Sequence, residues 1–180
     1  MDVALAAVGV EIEARLCPFA DELEHRQTIP GVGVRTAQIL LAEIGADMRR
    51  FPSAGHLASW AGMCPGNDES AGKRRSGRTR KGHPWLRSAL IEAAHAAARS
   101  HGTYLAAQYR RLAARRGAKR AAVAVGHSIL VRVYHLLRDG EPYHDLGGNY
   151  FDERDLLAVQ RRLVRRLEAL GHTVIFEPAA

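Results

Sequence analysis

The chain has 180 residues, enough for one domain with a small appendage, and at 47% hydrophobic residues it can bury a core. Only 6% of residues are aromatic, and alanine and leucine dominate the apolar set, which favours helices over sheets. The net charge of +7 points to a polyanionic partner. The two distant cysteines, Cys17 and Cys64, exclude a disulfide framework, and no apolar run approaches the roughly 18 residues that span a membrane.

Residues 2–16 read as an amphipathic helix with Val3, Ala6, Val10 and Leu16 among its apolar positions, broken at Pro18 and resumed over Asp21–Gln27. Residues 1–29 hold six acids against Arg15 and Arg26, a balance of −4 that leaves the remaining residues at +11. Pro30, Gly31 and Gly33 mark a turn, and a helix is predicted from Val34 to Ile44, stopped by Gly45. Ser53 is the expected N-cap of a helix ending near Gly62, with Leu57 and Trp60 facing inward. Residues 63–83 form a long polar loop, and Pro84 then opens a helix to Arg99. Further helices are expected over Thr103–Arg116 and Ala118–Arg138. Asp152 is the expected cap of a last helix, rich in arginine, and Thr173–Phe176 is a candidate short strand. The expected class is all-α.

Two segments carry candidate chemistry. The Pro30–Gly45 stretch has the form of a helix-hairpin-helix turn, in which glycines let backbone N–H groups approach a phosphate at a helix N-terminus. Gly31, Gly33 and Arg35 are the candidate contacts. The plainer reading, an ordinary turn joining two helices, is equally open at this point. The loop is the second segment. Lys73, Arg74, Arg75, Arg78, Arg80 and Lys81 put six cations in nine residues among glycines and hydroxyls, a run that repels itself unless an anion neutralises it. His83 and Arg87, just beyond, join the candidate phosphate contacts. Ser70 stands immediately ahead of the cluster. A serine hydroxyl is a weak nucleophile that surrounding positive charge can assist in phosphoryl transfer, although most loop serines only bond their own backbone. Arg161, Arg162, Arg165 and Arg166 share one helix face, either solvated or a second phosphate-contacting stripe. No zinc-type ligand spacing occurs.

Ile29-Pro-Gly-Val-Gly, Leu41-Ala-Glu-Ile-Gly, Phe51-Pro-Ser, Leu57-Ala-Ser-Trp-Ala-Gly, Pro65-Gly-Asn, Glu69-Ser-Ala-Gly-Lys and Gly82-His-Pro-Trp-Leu-Arg follow one another in order. Tyr104, Gln108-Tyr-Arg-Arg-Leu, His127-Ser-Ile-Leu-Val and Tyr143–Asp155 continue the series. Over residues 28–156 the chain resembles the C-terminal domain of transposases of the insertion-sequence 110/116/902 family. The resemblance implies that Ser70 is the nucleophile that cleaves and rejoins DNA through a phosphoserine link. It also implies a bridge-type guide RNA, a homo-oligomer, and Mg2+ held by four acidic residues of a separate RuvC-like domain. Nothing in this chain supplies that domain. The expectation is a truncated product or remnant, inactive alone, in which residues 1–27 end a coiled-coil linker, 28–156 form the serine-bearing DNA-binding domain and 157–180 an arginine-rich helix and tail. His83 stands where the family pattern leads one to expect asparagine.

The alternatives are a non-catalytic helix-hairpin-helix nucleic-acid-binding module and a helical oligomerisation domain. Asp2 and the lack of a basic leader fit no signal peptide, so the expected place is the bacterial cytoplasm, at the nucleoid, with no membrane contact.

Overall fold

The computed structural model of the chain describes residues 2–66, 68–140 and 142–176. It is all-α apart from one small hairpin. Helix α1 spans Asp2–Leu16, and a 3-10 turn at Cys17–Phe19, set by Pro18, leads into α2, Ala20–Gln27. The turn at 28–33 delivers α3, Val34–Ile44, with Gly33 as N-cap and Gly45 as C-cap. Ser53 caps α4, Ala54–Trp60, by accepting the His56 N–H. After residues 61–83 come α5 (Pro84–Arg99), α6 (Tyr104–Arg116) and α7 (Ala118–Asp139). Thr103 caps α6 through Ala106 N–H, and Gly117 at φ 81° turns the chain from α6 into α7.

α7 is the central helix and packs on α4, α5 and α6. Its apolar positions Val125, Ile129, Leu130 and Val133 recur at the helical period and meet Leu57, Leu86, Leu90 and Leu105 from those neighbours. Gly126 brings α7 close to α5: a Cβ there would lie 3.1 Å from the Leu90 carbonyl oxygen. Tyr134 is buried, and its hydroxyl donates to the Phe51 carbonyl at 3.0 Å, which ties α7 to the segment before α4. α3 and the turn that joins it to α2 complete the core through Ile29, Leu40 and Ile44.

One buried group does not fit the apolar core. Arg26, at the end of α2, is fully buried, and none of its three guanidinium nitrogens has a hydrogen-bond partner among the described residues. Burial lowers its pKa to about 10 against the attraction of Glu22.

The two ends of the chain differ from this body. The substantial contact of α1 among the described residues is with the adjoining 3-10 turn, and Val8, Val10 and Ile12 are exposed. At the other end, the expected single helix capped by Asp152 is two helices, α8 at Tyr150–Arg154 and α9 at Leu156–Ala169. Asp152 lies inside α8, and the break falls at Asp155, whose φ of −139° departs from helix. Residues 173–176 form no strand, since no neighbouring segment pairs with them. Trp60, expected inside, is 44% exposed, because α4 ends there and its ring lies on the surface against Phe51 and His83.

Candidate nucleic-acid interface

The long polar loop is more ordered than its composition predicts. Pro65 and Thr79 form an antiparallel bridge, and Gly66 N–H donates to the Arg78 carbonyl at 2.9 Å. Beyond that bridge, β1 (Asp68–Ser70) pairs with β2 (Lys73–Ser76), with an irregularity between Asp68 and Glu69. The connection is the two-residue turn Ala71-Gly72. Both residues have positive φ, 51° and 72°, as a tight hairpin with right-handed strand twist demands. Gly72 adopts this freely, whereas Ala71 is strained.

Ser70 is therefore the last strand residue before a strained turn, and it is exposed. Its cross-strand partner is Lys73, so the two side chains share a face of the hairpin. Lys73, Arg78, Arg80 and Lys81 are all exposed and form no ion pair among the described residues. Arg74 and Arg75 lie on β2, but their side chains are outside the described residues, as are those of Asp68 and Glu69.

The foot of the hairpin is fastened to the body. Gly62 and Gly82 pass each other backbone to backbone, where a Cβ on Gly82 would meet the Ala61 carbonyl at 2.4 Å. Arg87, on the first turns of α5, donates from Nη1 to the Gly62 carbonyl and to Thr79 Oγ1, each at 2.9 Å. His83 caps α5 by accepting the Leu86 N–H at Nδ1, places Nε2 3.1 Å from Glu43 Oε2 on α3, and stacks on Trp60. Of the expected phosphate contacts, Arg87 is thus bonded across the foot of the hairpin, and His83 joins the start of α5 to α3.

The glycine turn divides in the same way. Gly31 has φ of 87°, and a Cβ there would lie 2.2 Å from the Ala93 carbonyl oxygen of α5, so it is taken up by packing. Gly33 is open, with nothing within 4 Å of a Cβ position, and caps the exposed N-terminus of α3 beside exposed Arg35. Sequence reasoning missed Trp85. It is 73% exposed on the first turn of α5 next to the hairpin's foot, and its one signal was a large aromatic directly after a helix-opening proline.

Among the described residues no group of three or more His, Cys, Asp or Glu side chains is assembled to hold a metal ion, and no helix is long and apolar enough to cross a membrane.

A small helical body that holds out a cation-rich hairpin with an exposed hydroxyl before its turn has the electrostatics of a polyanion-handling protein. The chain belongs to the IS116/IS110/IS902 transposase family, whose pattern matches residues 24–110. It is 34% identical over 135 residues to a putative transposase, y4pF/y4sB, of Sinorhizobium fredii, covering 72% of this chain and 35% of that protein. It is 30% identical over 146 residues to the transposase of insertion sequence element IS1111A of Coxiella burnetii, covering 79% of this chain and 40% of the relative. A pilin gene-inverting protein of Moraxella bovis is 35% identical over 131 residues, 68% of this chain and 40% of the relative. The chain spans between about a third and two fifths of the length of these relatives.

Proposed function

We propose that this chain is the serine-bearing, DNA-binding part of a transposase, and that Ser70 is its nucleophile. The observation that carries this reading is the placement of Ser70: exposed, paired with Lys73, and directly before the strained Ala71. Backbone strain of this kind collects at functional sites, where the surrounding structure holds it. In the proposed step Ser70 Oγ loses its proton and attacks a backbone phosphorus. One P–O ester bond forms as another breaks, the departing sugar oxygen takes up a proton, and the phosphodiester energy is retained in the phosphoserine link. Lys73, Arg78 and Arg80 stabilise the charge that gathers on the phosphoryl oxygens. Gly33 and Arg35 at the N-terminus of α3 add a backbone phosphate contact.

In this reading the metal that the family resemblance implies is held by the acidic residues of a separate RuvC-like domain. A guide RNA as the source of target choice remains part of this proposal, as does the transposition reaction of the whole protein. Assembly of like chains rests on α1, where Val8 and Ile12, one turn apart on the same face, are exposed.

Covalent capture on a nicked DNA substrate tests the nucleophile, with the chain supplied in the context of its full-length protein and guide RNA. A protein–DNA adduct is expected, and Ser70→Ala is expected to abolish it while keeping DNA affinity. An adduct that survives Ser70→Ala removes Ser70 from the role. DNA binding by the parent protein without any adduct favours a non-catalytic DNA-binding module.

A further inference from the structure

A second basic site lies on elements that make no substantial contact with the hairpin among the described residues. One face of α6 presents Gln108, Arg111, Leu112 and Arg115 to Phe151, Arg154 and Asp155 at the α8–α9 break, and the cleft between them has a volume of about 310 Å³. Three guanidinium groups from two helices converge on it, against one carboxylate. Arg111, Arg115 and Arg154 form no ion pair among the described residues. Arg111 lies over the Phe151 ring, 5.4 Å from its centroid, which fixes one guanidinium plane at the cleft wall. The amide nitrogen of Gln108 is committed elsewhere: Nε2 donates to Ser128 Oγ at 3.0 Å, and Ser128 in turn donates to the Ala124 carbonyl, while Oε1 is buried with no partner among the described residues. The cleft wall is thereby anchored to α7.

Like charges one turn apart on a helix repel, and Arg154 adds a third cation from the facing helix. Such a cluster is relieved by an anion with several acceptor oxygens, for which guanidinium forks are matched. Asp155 decides which anion. Its carboxylate opposes a free phosphate dianion more than a phosphodiester, which carries one negative charge, and it accepts a hydrogen bond from a sugar hydroxyl or base amine. The volume suits a phosphodiester with part of its sugars, at the lower limit of small-ligand pockets.

We propose that the α6–α8 cleft binds the phosphodiester backbone of a nucleic-acid strand, as a second contact independent of the Ser70 hairpin. The inference rests on the reading of the chain as a nucleic-acid-handling transposase part. Its test is the salt dependence of binding to a DNA duplex and to an RNA hairpin, measured for the full chain and two charge-removal variants. Arg111→Gln/Arg115→Gln/Arg154→Gln is expected to weaken binding of at least one of the two probes roughly tenfold or more and to lower the log–log salt slope by roughly 2 to 3. These side chains are exposed, and unchanged circular dichroism verifies the fold. Asp155→Asn, which keeps an acceptor and removes a charge, is expected to tighten binding of that probe. Inorganic phosphate at equal ionic strength to chloride is expected to compete weakly. If the triple variant binds both probes as the parent does, or if inorganic phosphate displaces them as effectively as competitor nucleic acid, the cleft is not a strand-binding site. Lys73→Gln/Arg78→Gln/Arg80→Gln is measured in parallel. A loss there with none in the cleft variant overturns the cleft alone, whereas a parent chain with no salt-dependent binding overturns both readings.

Discussion

Arg87 Nη1 lies 2.9 Å from the Gly62 carbonyl oxygen, so one side chain on α5 fastens the end of α4 to the return strand of the hairpin through Thr79. Replacing it leaves a carbonyl and a hydroxyl without their charged donor. Arg87→Met is expected to cost about 1–3 kcal/mol. Trypsin cutting at the arginines and lysines of residues 73–81 reports the hairpin directly and is expected to quicken in the variant. An unchanged cleavage rate would mean that the glycine contact at the foot suffices.

Ala71 sits at φ 51°, where an alanine costs roughly 1–2 kcal/mol relative to a freely adopted conformation. Ala71→Gly is expected to raise stability by up to about that amount, less the extra freedom it gives the unfolded chain. If strain at this turn aims Ser70, the same change lowers the yield of the covalent adduct. Denaturant melts and adduct yields on one preparation separate the two effects.

Gly31 and Gly33 are two residues apart and make opposite demands. A Cβ on Gly31 meets the Ala93 oxygen at 2.2 Å, in a backbone conformation that side chains avoid. Gly31→Ala is expected to lose about 3 kcal/mol or more, since α3 and α5 must part to admit it. Gly33→Ala meets open space, and its cost is confined to a poorer helix cap, under about 1 kcal/mol. Equal losses at the two positions would contradict the packing described for α5.

Arg26 has a buried guanidinium with no partner among the described residues and a pKa lowered to about 10. Apolar replacement of buried charge is often neutral or stabilising by about 1–4 kcal/mol. Arg26→Met keeps much of the side-chain length and is expected to raise the melting temperature. A fall would show that the charge is held by a contact outside the described residues.

His127, half-buried on α7, has its pKa lowered because burial penalises the charged ring. The unfolded chain binds that proton near pH 6.5 and the folded chain binds it only at lower pH. Stability from this residue is therefore present above about pH 6.5 and declines as pH falls below it. Melting at pH 7.5 and 5.5 is expected to show a smaller difference in His127→Gln than in the parent. Equal differences would assign the pH response to other groups.

The helices were legible where punctuation and period agreed. Gly33 and Gly45 bound α3, and Pro84 opens α5, at the residues the sequence predicts. The hairpin was not legible, because its strands are an acidic run, Asp68–Ser70, and a basic run, Lys73–Ser76, with no apolar face for a period-two pattern to reveal. Its turn depends on an alanine in a conformation that alanine disfavours. Arg26 is a comparable case: it stands in a polar, acidic stretch, and only the packing of α2 buries it. Ser70 was marked by its basic neighbours and read as a nucleophile through the family resemblance, and what the fold added is its cross-strand pairing and the strain beside it. The cleft at Arg111, Arg115 and Arg154 was invisible because its members come from helices whose meeting no local pattern encodes.

The contact of Gly62 with Gly82 has a consequence for how such a chain changes over generations. The hairpin over residues 68–78 leaves and rejoins the body beside this contact, outside the buried core cluster, which breaks off at Met63 and resumes at Leu86, so its composition is largely uncoupled from the core's requirements. A copy stripped of its hairpin charges would still fold and would persist as an inert bystander. A different hairpin grafted between the same two glycines would find a scaffold already able to carry it, which makes this segment the place where new specificity is most readily installed.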